Sequence, residues 1–274
     1  MPLHSSSKHL LTTLCLAGCS LAVWAGGTRP ASPWVPHVDD SYQIQLTGKI
    51  NTGYDVEVYD IDLFDTPDAV MNTLHGRGVR VVCYFSAGTA EDWRADYSQF
   101  KPADLGGNLD GWPGERWVDT RSANVRAIMK ARFDRAAARG CDGVDTDNVD
   151  EYTYSDSGFP LTPSTQLNYN RFLAKEAHAR GLKIGLKNDV GQLSSLVASF
   201  DFAVNESCHV YKECGGYSLF TNADKPVFNI EYKKKWVDDP DARARMCAQA
   251  RAANLRTLVM PHLLNDDFRL SCDD

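Results

Sequence analysis

The feature of this sequence that most constrains its fold is a repeated unit: a β-branched run ending in polar residues, then a loop and usually an amphipathic helix. The runs are SYQIQLTG, DVEVYDIDLFD, VRVVCYFSAG, CDGVDTDNV, LKIGLKND, FDFAVNES, PVFNIEY and RTLVMPH. Strands that alternate with helices pair in parallel through right-handed crossovers. Eight such units predict an α/β fold, a single-domain (β/α)8 TIM barrel. An open doubly wound sheet is the weaker alternative, because no glycine-rich phosphate turn follows the first strand.

The first residues predict export. MPLHSSSKHLLTTLCLAGCSLAVWAGG joins a lightly basic start to an apolar stretch too short for a membrane span, as in a secretory signal. The tetrapeptide LAGC at 16–19 resembles a bacterial lipobox, which favours a signal peptide over residues 1–18 and a lipidated Cys19 in a cell-envelope lipoprotein. Ordinary cleavage near Ala25 is the alternative and gives a secreted or periplasmic protein. Residues 19–33 are predicted to be a flexible spacer and residues 34–274 the barrel.

The cysteine count agrees with export. Six of the eight cysteines remain once Cys15 and Cys19 are assigned to the signal and its cleavage site, and an even number suits disulfides in an oxidising compartment. The sequence does not fix their connectivity; the possible pairs are Cys208 with Cys214, Cys247 with Cys272, and Cys83 with Cys141, the last two of which can also be buried thiols. The competing zinc site lacks a C-x-x-C pair and a nearby histidine cluster. We therefore predict no metal and no cofactor.

Polar side chains stand at the C-terminal ends of nearly all the predicted strands. In a barrel enzyme those ends form the face that carries the active site. Acidic residues crowded there destabilise a fold unless they are neutralised or used. An EF-hand calcium loop is a poor fit to GCDGVDTDNVDEY, because Val149 and Asp150 stand where an oxygen ligand and glycine are needed. Two carboxyl groups on facing strand ends can instead hydrolyse a glycosidic bond.

Seven segments in order resemble glycoside hydrolase family 114 from about Trp34 to the C-terminus: YDIDLFDT, CYFSAGTAEDWRAD, GWPGERWVDTR, GCDGVDTDNVDEY, GLKIGLKNDVGQL, FDFAVNESC and KPVFNIEY. The resemblance implies a barrel endo-α-1,4-polygalactosaminidase that acts on galactosamine polymers. It also implies catalytic carboxyl groups at Asp147 of TDN and Glu206 of NES. We assign Asp147 as nucleophile and Glu206 as acid/base of a retaining mechanism, with the reverse order as the alternative. A retaining pair predicts carboxyl groups roughly 5–5.5 Å apart.

The other polar and aromatic residues of this rim are predicted to bind the polymer. Carboxylates and amides accept and donate hydrogen bonds to sugar hydroxyls, and aromatic rings stack on sugars or cations. Asp145 stands where the family commonly has a Glu-Pro or similar pair, so it is also a candidate for tuning Asp147. The predicted substrate-binding residues are Asp60, Asp62, Tyr84, Trp93, Trp112, Asp145, Asn148, Lys187, Asn188, Asp189 and Glu231.

The net charge of −7 bears on the partners. It argues against nucleic acid, because phosphate binding needs clustered Lys and Arg. An acidic field attracts cationic ligands, and partially deacetylated galactosaminan carries free ammonium groups. We therefore predict a monomer that cleaves a cationic polysaccharide and meets a membrane only through a lipid anchor. The alternatives are hydrolysis of another α-linked glycan on the same barrel and a non-catalytic cell-surface polysaccharide-binding protein.

Overall fold

A computed structural model of the chain describes Met1 and residues 33–273. The predicted signal peptide, Cys19 and the spacer up to residue 32 lie outside the described residues and stay predictions. Within the described residues, no helix reaches the length and apolar character that crossing a bilayer requires.

The described residues contain the eight predicted strands in the predicted order, together with four short strands that the sequence does not predict. They are β1 (Tyr42–Gln45), β2 (Val58–Asp62), β3 (Arg80–Ser86), β4 (Thr89–Glu91), β5 (Leu105–Asn108), β6 (Glu115–Val118), β7 (Gly143–Asp147), β8 (Lys183–Lys187), β9 (Phe202–Glu206), β10 (Val227–Glu231), β11 (Arg256–Val259) and β12 (Leu270–Ser271). Strands β1, β2, β3 and β7 to β11 pair in parallel with their chain neighbours. These are the eight barrel strands, and the (β/α)8 prediction is confirmed.

The barrel seam lies between β11 and β1. Strand β12 pairs antiparallel with β11 at this edge. Arg269, one residue before β12, donates to the Tyr42 carbonyl and to the Gln43 side chain. The Leu46 N–H donates to the Leu264 carbonyl at 3.0 Å. Loop and side-chain contacts thus join the first and last barrel strands across the seam.

Helices connect the barrel strands, and three of them begin after residues whose side chains cap the first turn. The helices are α1 (Asp68–Gly76), α2 (Ala123–Arg139), α3 (Pro163–His178), α4 (Leu193–Leu196), α5 (Cys208–Tyr211), α6 (Ser218–Thr221), α7 (Lys234–Asp238) and α8 (Pro240–Ala252). The side chains of Ser122, Thr162 and Asp239 accept backbone N–H groups in the first turns of α2, α3 and α8. Gly140 ends α2 with φ of 82°, a conformation that favours glycine.

Alternation along the strands sorts side chains between two cores. On β3, Val81 packs outward against the helices, whereas Val82 packs inside the barrel. On β10, Phe228 and Ile230 pack inside with Phe202. Because successive side chains of a strand point to opposite faces, every second residue beyond these positions also points into the barrel. Toward the C-terminal ends the inward residues become polar, and they form the site described below.

The long segment between β3 and α2 contains a small antiparallel sheet in the order β4-β6-β5. It lies against the turn after β7. A Cβ atom on Gly88 would fall 1.7 Å from the Asn148 carbonyl oxygen, so only glycine allows this approach. The excursion thereby brings Trp93, Trp112 and Glu115 to the mouth of the barrel.

Three disulfides are formed: Cys83–Cys141, Cys208–Cys214 and Cys247–Cys272. All three pairs considered from the sequence are present. Cys83 and Cys141, for which buried thiols were the alternative, form a disulfide. This bridge joins β3 to the residue two positions before β7, whereas Cys208–Cys214 closes a loop directly after β9.

Candidate active site

A cleft of about 850 Å³ opens at the C-terminal ends of the barrel strands. Its wall is strongly acidic, with nine carboxyl side chains against three from Lys and Arg. The acids are Asp62, Asp65, Glu91, Asp110, Glu115, Asp147, Asp150, Asp156 and Glu206, and the bases are Arg94, Lys187 and Lys233. Arg94 is already engaged, because it bonds to Asp62, Asp65 and Glu91. The remaining wall presents a negative field to a ligand.

Asp147 is the inward residue at the end of β7. Its Oδ2 accepts the Tyr84 hydroxyl at 2.8 Å, and its Oδ1 accepts the Asn148 N–H at 2.8 Å. The Lys187 Nζ lies 3.4 Å from the same Oδ1. The two hydrogen bonds and the ion pair with Lys187 fix the orientation of the Asp147 carboxyl group toward the cleft.

Glu206 ends β9, two strands away from β7 in the barrel, and also lines the cleft. The Tyr232 hydroxyl donates to its Oε1. The Glu206 backbone N–H donates to Asn188 Oδ1 at 3.0 Å, which fixes the end of the strand. The Glu206 side chain therefore accepts one hydrogen bond, whereas Asp147 accepts two and also forms the ion pair with Lys187.

Lys187 stands between the two acids on β8 and is buried. Its Nζ lies 3.4 Å from Asp145 Oδ2 as well as from Asp147 Oδ1. Burial alone lowers the pKa of an amine, but the surrounding carboxylates, with Asp145 first and Asp147 next, raise the Lys187 pKa well above its usual value. The ammonium is therefore charged and is shared by two carboxyl groups of β7.

Three adjacent barrel strands each end in a residue with left-handed backbone immediately after the inward polar residue. These are Asn148 after Asp147 (φ of 60°), Asn188 after Lys187 (φ of 49°) and Ser207 after Glu206 (φ of 65°). Such conformations are uncommon for residues other than glycine and concentrate at functional sites. In all three strands the chain turns directly after the functional residue and leaves the barrel, while that residue's side chain stays at the cleft.

Aromatic rings line the sides of the cleft. Trp112 stacks on His262, with ring centroids 5.6 Å apart and an interplanar angle of 21°. The Tyr232 ring also contacts His262, at a centroid distance of 5.4 Å. Tyr154 packs on Trp117 at 4.8 Å. Trp93, Trp112, Tyr154 and Tyr211 keep large exposed areas. The cleft thus offers exposed aromatic faces of the kind on which sugar rings stack.

The predicted binding residues divide into two groups. Seven line the cleft: Asp62, Tyr84, Trp93, Trp112, Asn148, Lys187 and Asn188. Asp60, Asp145, Asp189 and Glu231 are buried and lie outside the cleft wall. Glu231 points outward and accepts the His209 N–H at 2.8 Å, whereas Asp189 accepts from Asn170 at 2.8 Å. Asp62 lines the cleft but is held by Arg94 at 2.6 Å.

The cleft also contains residues to which we had assigned no role. Glu115 accepts from the Thr89 hydroxyl, and burial raises the pKa of this carboxyl to about 7. Burial and then the charge of Asp147 raise the pKa of Asp150 to about 7. Asp150 belongs to the acidic segment GCDGVDTDNVDEY, and the density of acidic residues in that segment indicates a role for it. Glu115 lies in the quoted segment GWPGERWVDTR and Tyr154 follows the acidic segment by two residues, but neither stands at the end of a predicted strand.

One histidine-cysteine group has its potential ligand atoms close together: Cys208, His209 and Cys214, within 4.8 Å of one another. Both sulfur atoms are joined in a disulfide. Thiolates are the metal-binding form of cysteine, so this group does not form a thiolate site while it is oxidised.

Comparison with known proteins gives one family and several structural relatives. The model of glycoside-hydrolase family GH114 matches residues 25–274. Aspergillus fumigatus Ega3, solved in complex with galactosamine, is 40% identical, and the match covers 90% of this chain and 100% of that chain with a TM-score of 0.82. The glycoside hydrolase domain of PelA from Pseudomonas aeruginosa is 15% identical over 84% of this chain and 98% of its own, with a TM-score of 0.66, and supports the fold alone. An uncharacterized Deinococcus radiodurans protein is 28% identical over 260 residues, which cover 83% of this chain and 80% of that protein.

Proposed function

The chain belongs to glycoside hydrolase family GH114 and is a glycosidase; from this premise we propose that it is an endo-acting α-1,4-polygalactosaminidase whose catalytic carboxyl groups are Asp147 and Glu206. The observation that carries the assignment is the placement of both side chains at the cleft floor, on β7 and β9 with charged Lys187 between them. The similarity to a structure solved with galactosamine supports the sugar.

In this proposal Asp147 is the nucleophile of a retaining reaction. Its carboxylate attacks the anomeric carbon while Glu206 donates a proton to the glycosidic oxygen, which leaves with the sugar on its reducing-end side. Glu206, now a carboxylate, then takes a proton from water as that water attacks the anomeric carbon and releases Asp147. Two hydrogen bonds and the ion pair with Lys187 hold the Asp147 carboxyl group in place for attack, which supports its assignment as nucleophile. Glu206, whose side chain accepts one hydrogen bond from Tyr232, is assigned as the acid/base.

Two substitutions test the assignment. Asp147→Asn and Glu206→Gln should keep the fold and lose cleavage of galactosamine oligomers, while exposed Asp55→Asn should match the wild type. Azide then separates the roles, since Asp147→Ala should yield a β-glycosyl azide and Glu206→Ala an α-glycosyl azide from a substrate with an activated leaving group. Full turnover by either amide variant removes that residue from the mechanism, and exchanged azide products reverse the order.

We further propose that the natural substrate is cationic, partially deacetylated galactosaminan. The support is the acidic cleft wall, in which Asp150 has no Lys or Arg within ion-pair distance among residues 33–273. Mass analysis of products from galactosaminan, its fully acetylated form and a neutral α-glucan tests this. Equal cleavage of the α-glucan would favour the broader α-glycan hydrolase, and saturable binding without any new reducing ends would favour a binding protein.

We also propose that the barrel, residues 34–274, acts as an exported monomer, tethered through Cys19 after removal of residues 1–18, with residues 19–33 as spacer. Three disulfides suit an oxidising compartment and support export. Labelling with a radioactive fatty acid should mark the wild type but not Cys19→Ala. An unlabelled wild-type protein with an N-terminus after Ala25 would establish the secreted or periplasmic alternative, and sedimentation of the purified domain tests the monomer.

A further inference from the structure

Asp60 and Asp145 lie beneath the cleft floor on alternate strands of the barrel. Side chains of alternate strands share a layer inside such a barrel, so residues of β2 and β7 can meet across β3. Both residues are buried, at 3% and 0% exposure, and they are within hydrogen-bonding reach of each other. Neither carboxyl group lines the cleft, so a substrate contact does not account for them.

Each of these two carboxyl groups has one oxygen without a hydrogen-bond partner. The oxygens are Asp60 Oδ1 and Asp145 Oδ1. A buried polar atom without a partner destabilises the folded state, and the penalty is larger when the atom is charged. Two ionised carboxylates cannot satisfy each other, because a carboxylate only accepts. A single proton on one of them converts an unfavourable pair into a donor and an acceptor.

The charge around Lys187 leads to the same arrangement. Its ammonium lies 3.4 Å from both Asp145 and Asp147, while Asp60 and Glu206 add to the negative field. Were all four carboxyl groups ionised, one buried cation would face four anions, and like charges at this depth favour proton uptake. A proton kept by Asp60 lowers that charge without weakening the contact of Lys187 with Asp147.

We propose that Asp60 and Asp145 share one proton, donated by Asp60 to Asp145, and act as a positioning pair that keeps Lys187 on Asp147 in the resting enzyme. The role of this pair in turnover rests on the proposed function of Asp147. The two residues do not touch the substrate. The pair carries one negative charge. Through the contact of Asp145 with Nζ, it holds the Lys187 ammonium from below and leaves it available to Asp147 above. Loss of the proton adds a second negative charge below Lys187 and draws the ammonium away from Asp147.

The electrostatics of the site support this arrangement. Burial, and then the charge of Asp145, raises the pKa of Asp60 well above its usual range. Burial also raises the pKa of Asp145 to about 6, against the opposing effect of Lys187. The titratable groups around the pair come from six barrel strands or the residues directly after them: Tyr42, Tyr84, Asp147, Lys187, Glu206 and Tyr232.

Neutron diffraction from deuterated wild-type crystals tests the shared proton directly. We expect deuterium between the two carboxyl groups in the resting enzyme at neutral pH. Its absence overturns the proposal. This readout involves neither substrate nor turnover, so its failure is distinct from a failure of the assignment of Asp147, which the Asp147→Asn assay decides.

Two variants at Asp60 test the role in turnover. Asp60→Asn keeps a donor to Asp145 at position 60 and should retain kcat within a few-fold of wild type. Asp60→Leu removes the donor at position 60, and kcat should fall about tenfold or more. At alkaline pH the wild type should lose activity as the pair gives up its proton, and Asp60→Asn should lack this component. The positioning role is contradicted if folded Asp60→Asn is as inactive as Asp60→Leu. It is also contradicted if Asp60→Asn loses activity at alkaline pH as the wild type does.

Discussion

The Tyr84 hydroxyl donates to Asp147 Oδ2 at 2.8 Å, across the pairing of β3 with β7. Tyr84 also lies beneath the Lys187 ammonium, which stands 5.3 Å from the centre of the tyrosine ring. One side chain therefore touches the proposed nucleophile through its hydroxyl and the neighbouring cation through its ring. Burial and the charge of Asp147 raise the pKa of Tyr84 well above its usual value, so the hydroxyl keeps its proton and remains a donor.

Tyr84→Phe removes this donor and keeps the ring. A hydrogen bond to a charged group contributes about 1.5–3 kcal/mol, so we expect kcat/KM on galactosamine oligomers to fall about tenfold to a hundredfold. Tyr59→Phe is the matched control, because the Tyr59 hydroxyl bonds to the Asn51 carbonyl, well away from the cleft. Initial rates and thermal unfolding of both variants separate an effect on Asp147 from one on the fold. Unchanged kcat/KM in Tyr84→Phe contradicts this role.

Asp150→Asn should weaken binding of cationic substrates only. The wild-type carboxylate is available to pair with an ammonium group, and losing one charge-assisted contact should raise KM for deacetylated oligomers about tenfold while kcat changes little. KM for fully acetylated oligomers should stay the same. Because the pKa of Asp150 is raised to about 7, the preference of the wild type for deacetylated oligomers should grow as pH rises through that value.

Asp110→Asn serves as the control for Asp150, because Asp110 is an exposed acid on the same cleft wall. A general field effect would make both variants alike and equally sensitive to salt. A specific contact would affect Asp150→Asn alone, and equal KM changes on acetylated and deacetylated oligomers would rule that contact out.

The sequence predicts the eight barrel strands and the acidic residues at their ends. It does not predict which side chains of each strand point into the barrel. Barrel strands are covered on both faces and are nearly continuous in apolar character, so alternation does not show which set points inward. Glu231 was therefore predicted at the cleft, whereas the inward position of Phe228 and Ile230 places Tyr232 there instead. Once one inward residue per strand is known, counting by two identifies Asp147, Lys187 and Glu206.

The β4-β6-β5 sheet escaped prediction for a different reason. Its strands have only three or four residues each, so they show no measurable period. Glu115 reaches the cleft only because this sheet folds over the barrel. Its position depends on long-range packing, such as the approach of Gly88 to Asn148, and no local pattern encodes that contact.

Stability should fall as pH rises from about 4 to about 9. Burial raises the pKa of Glu151 to about 9 and of Asp189 to about 8 in the folded chain, far above the values of about 4 for unfolded carboxyl groups. The folded state thus holds more protons than the unfolded state between these limits. The stability that these groups contribute is complete below the unfolded pKa and is lost as pH rises through the folded one.

Glu151→Gln should remove part of this slope, on the order of 1 kcal/mol per pH unit, and should be more stable than wild type at pH 8. Urea unfolding at several pH values measures it, with exposed Asp241→Asn as the control. An identical slope in wild type and Glu151→Gln would show that Glu151 is ionised in the folded protein.

The Cys208–Cys214 bridge should matter more for turnover than for stability. Its two cysteines are six positions apart, and the loop that they close begins two residues after Glu206. This loop places Tyr211 in the cleft wall. Cross-linking a short loop restricts the unfolded chain little, so loss of this bridge should cost on the order of 2 kcal/mol of unfolding free energy. The freed loop should also loosen the Ser207 turn and lower kcat/KM several-fold.

The Cys247–Cys272 bridge is the matched control, because it spans 25 residues and lies outside the cleft wall. Its longer loop predicts a larger loss of unfolding free energy, on the order of 3 kcal/mol, with kcat/KM unchanged below the unfolding transition. Double alanine variants of each pair, compared by urea unfolding and by initial rates, should therefore rank in opposite orders in the two measurements. The same ranking in both would mean that the loop after β9 has no separate influence on Glu206, and that stability alone governs the rate.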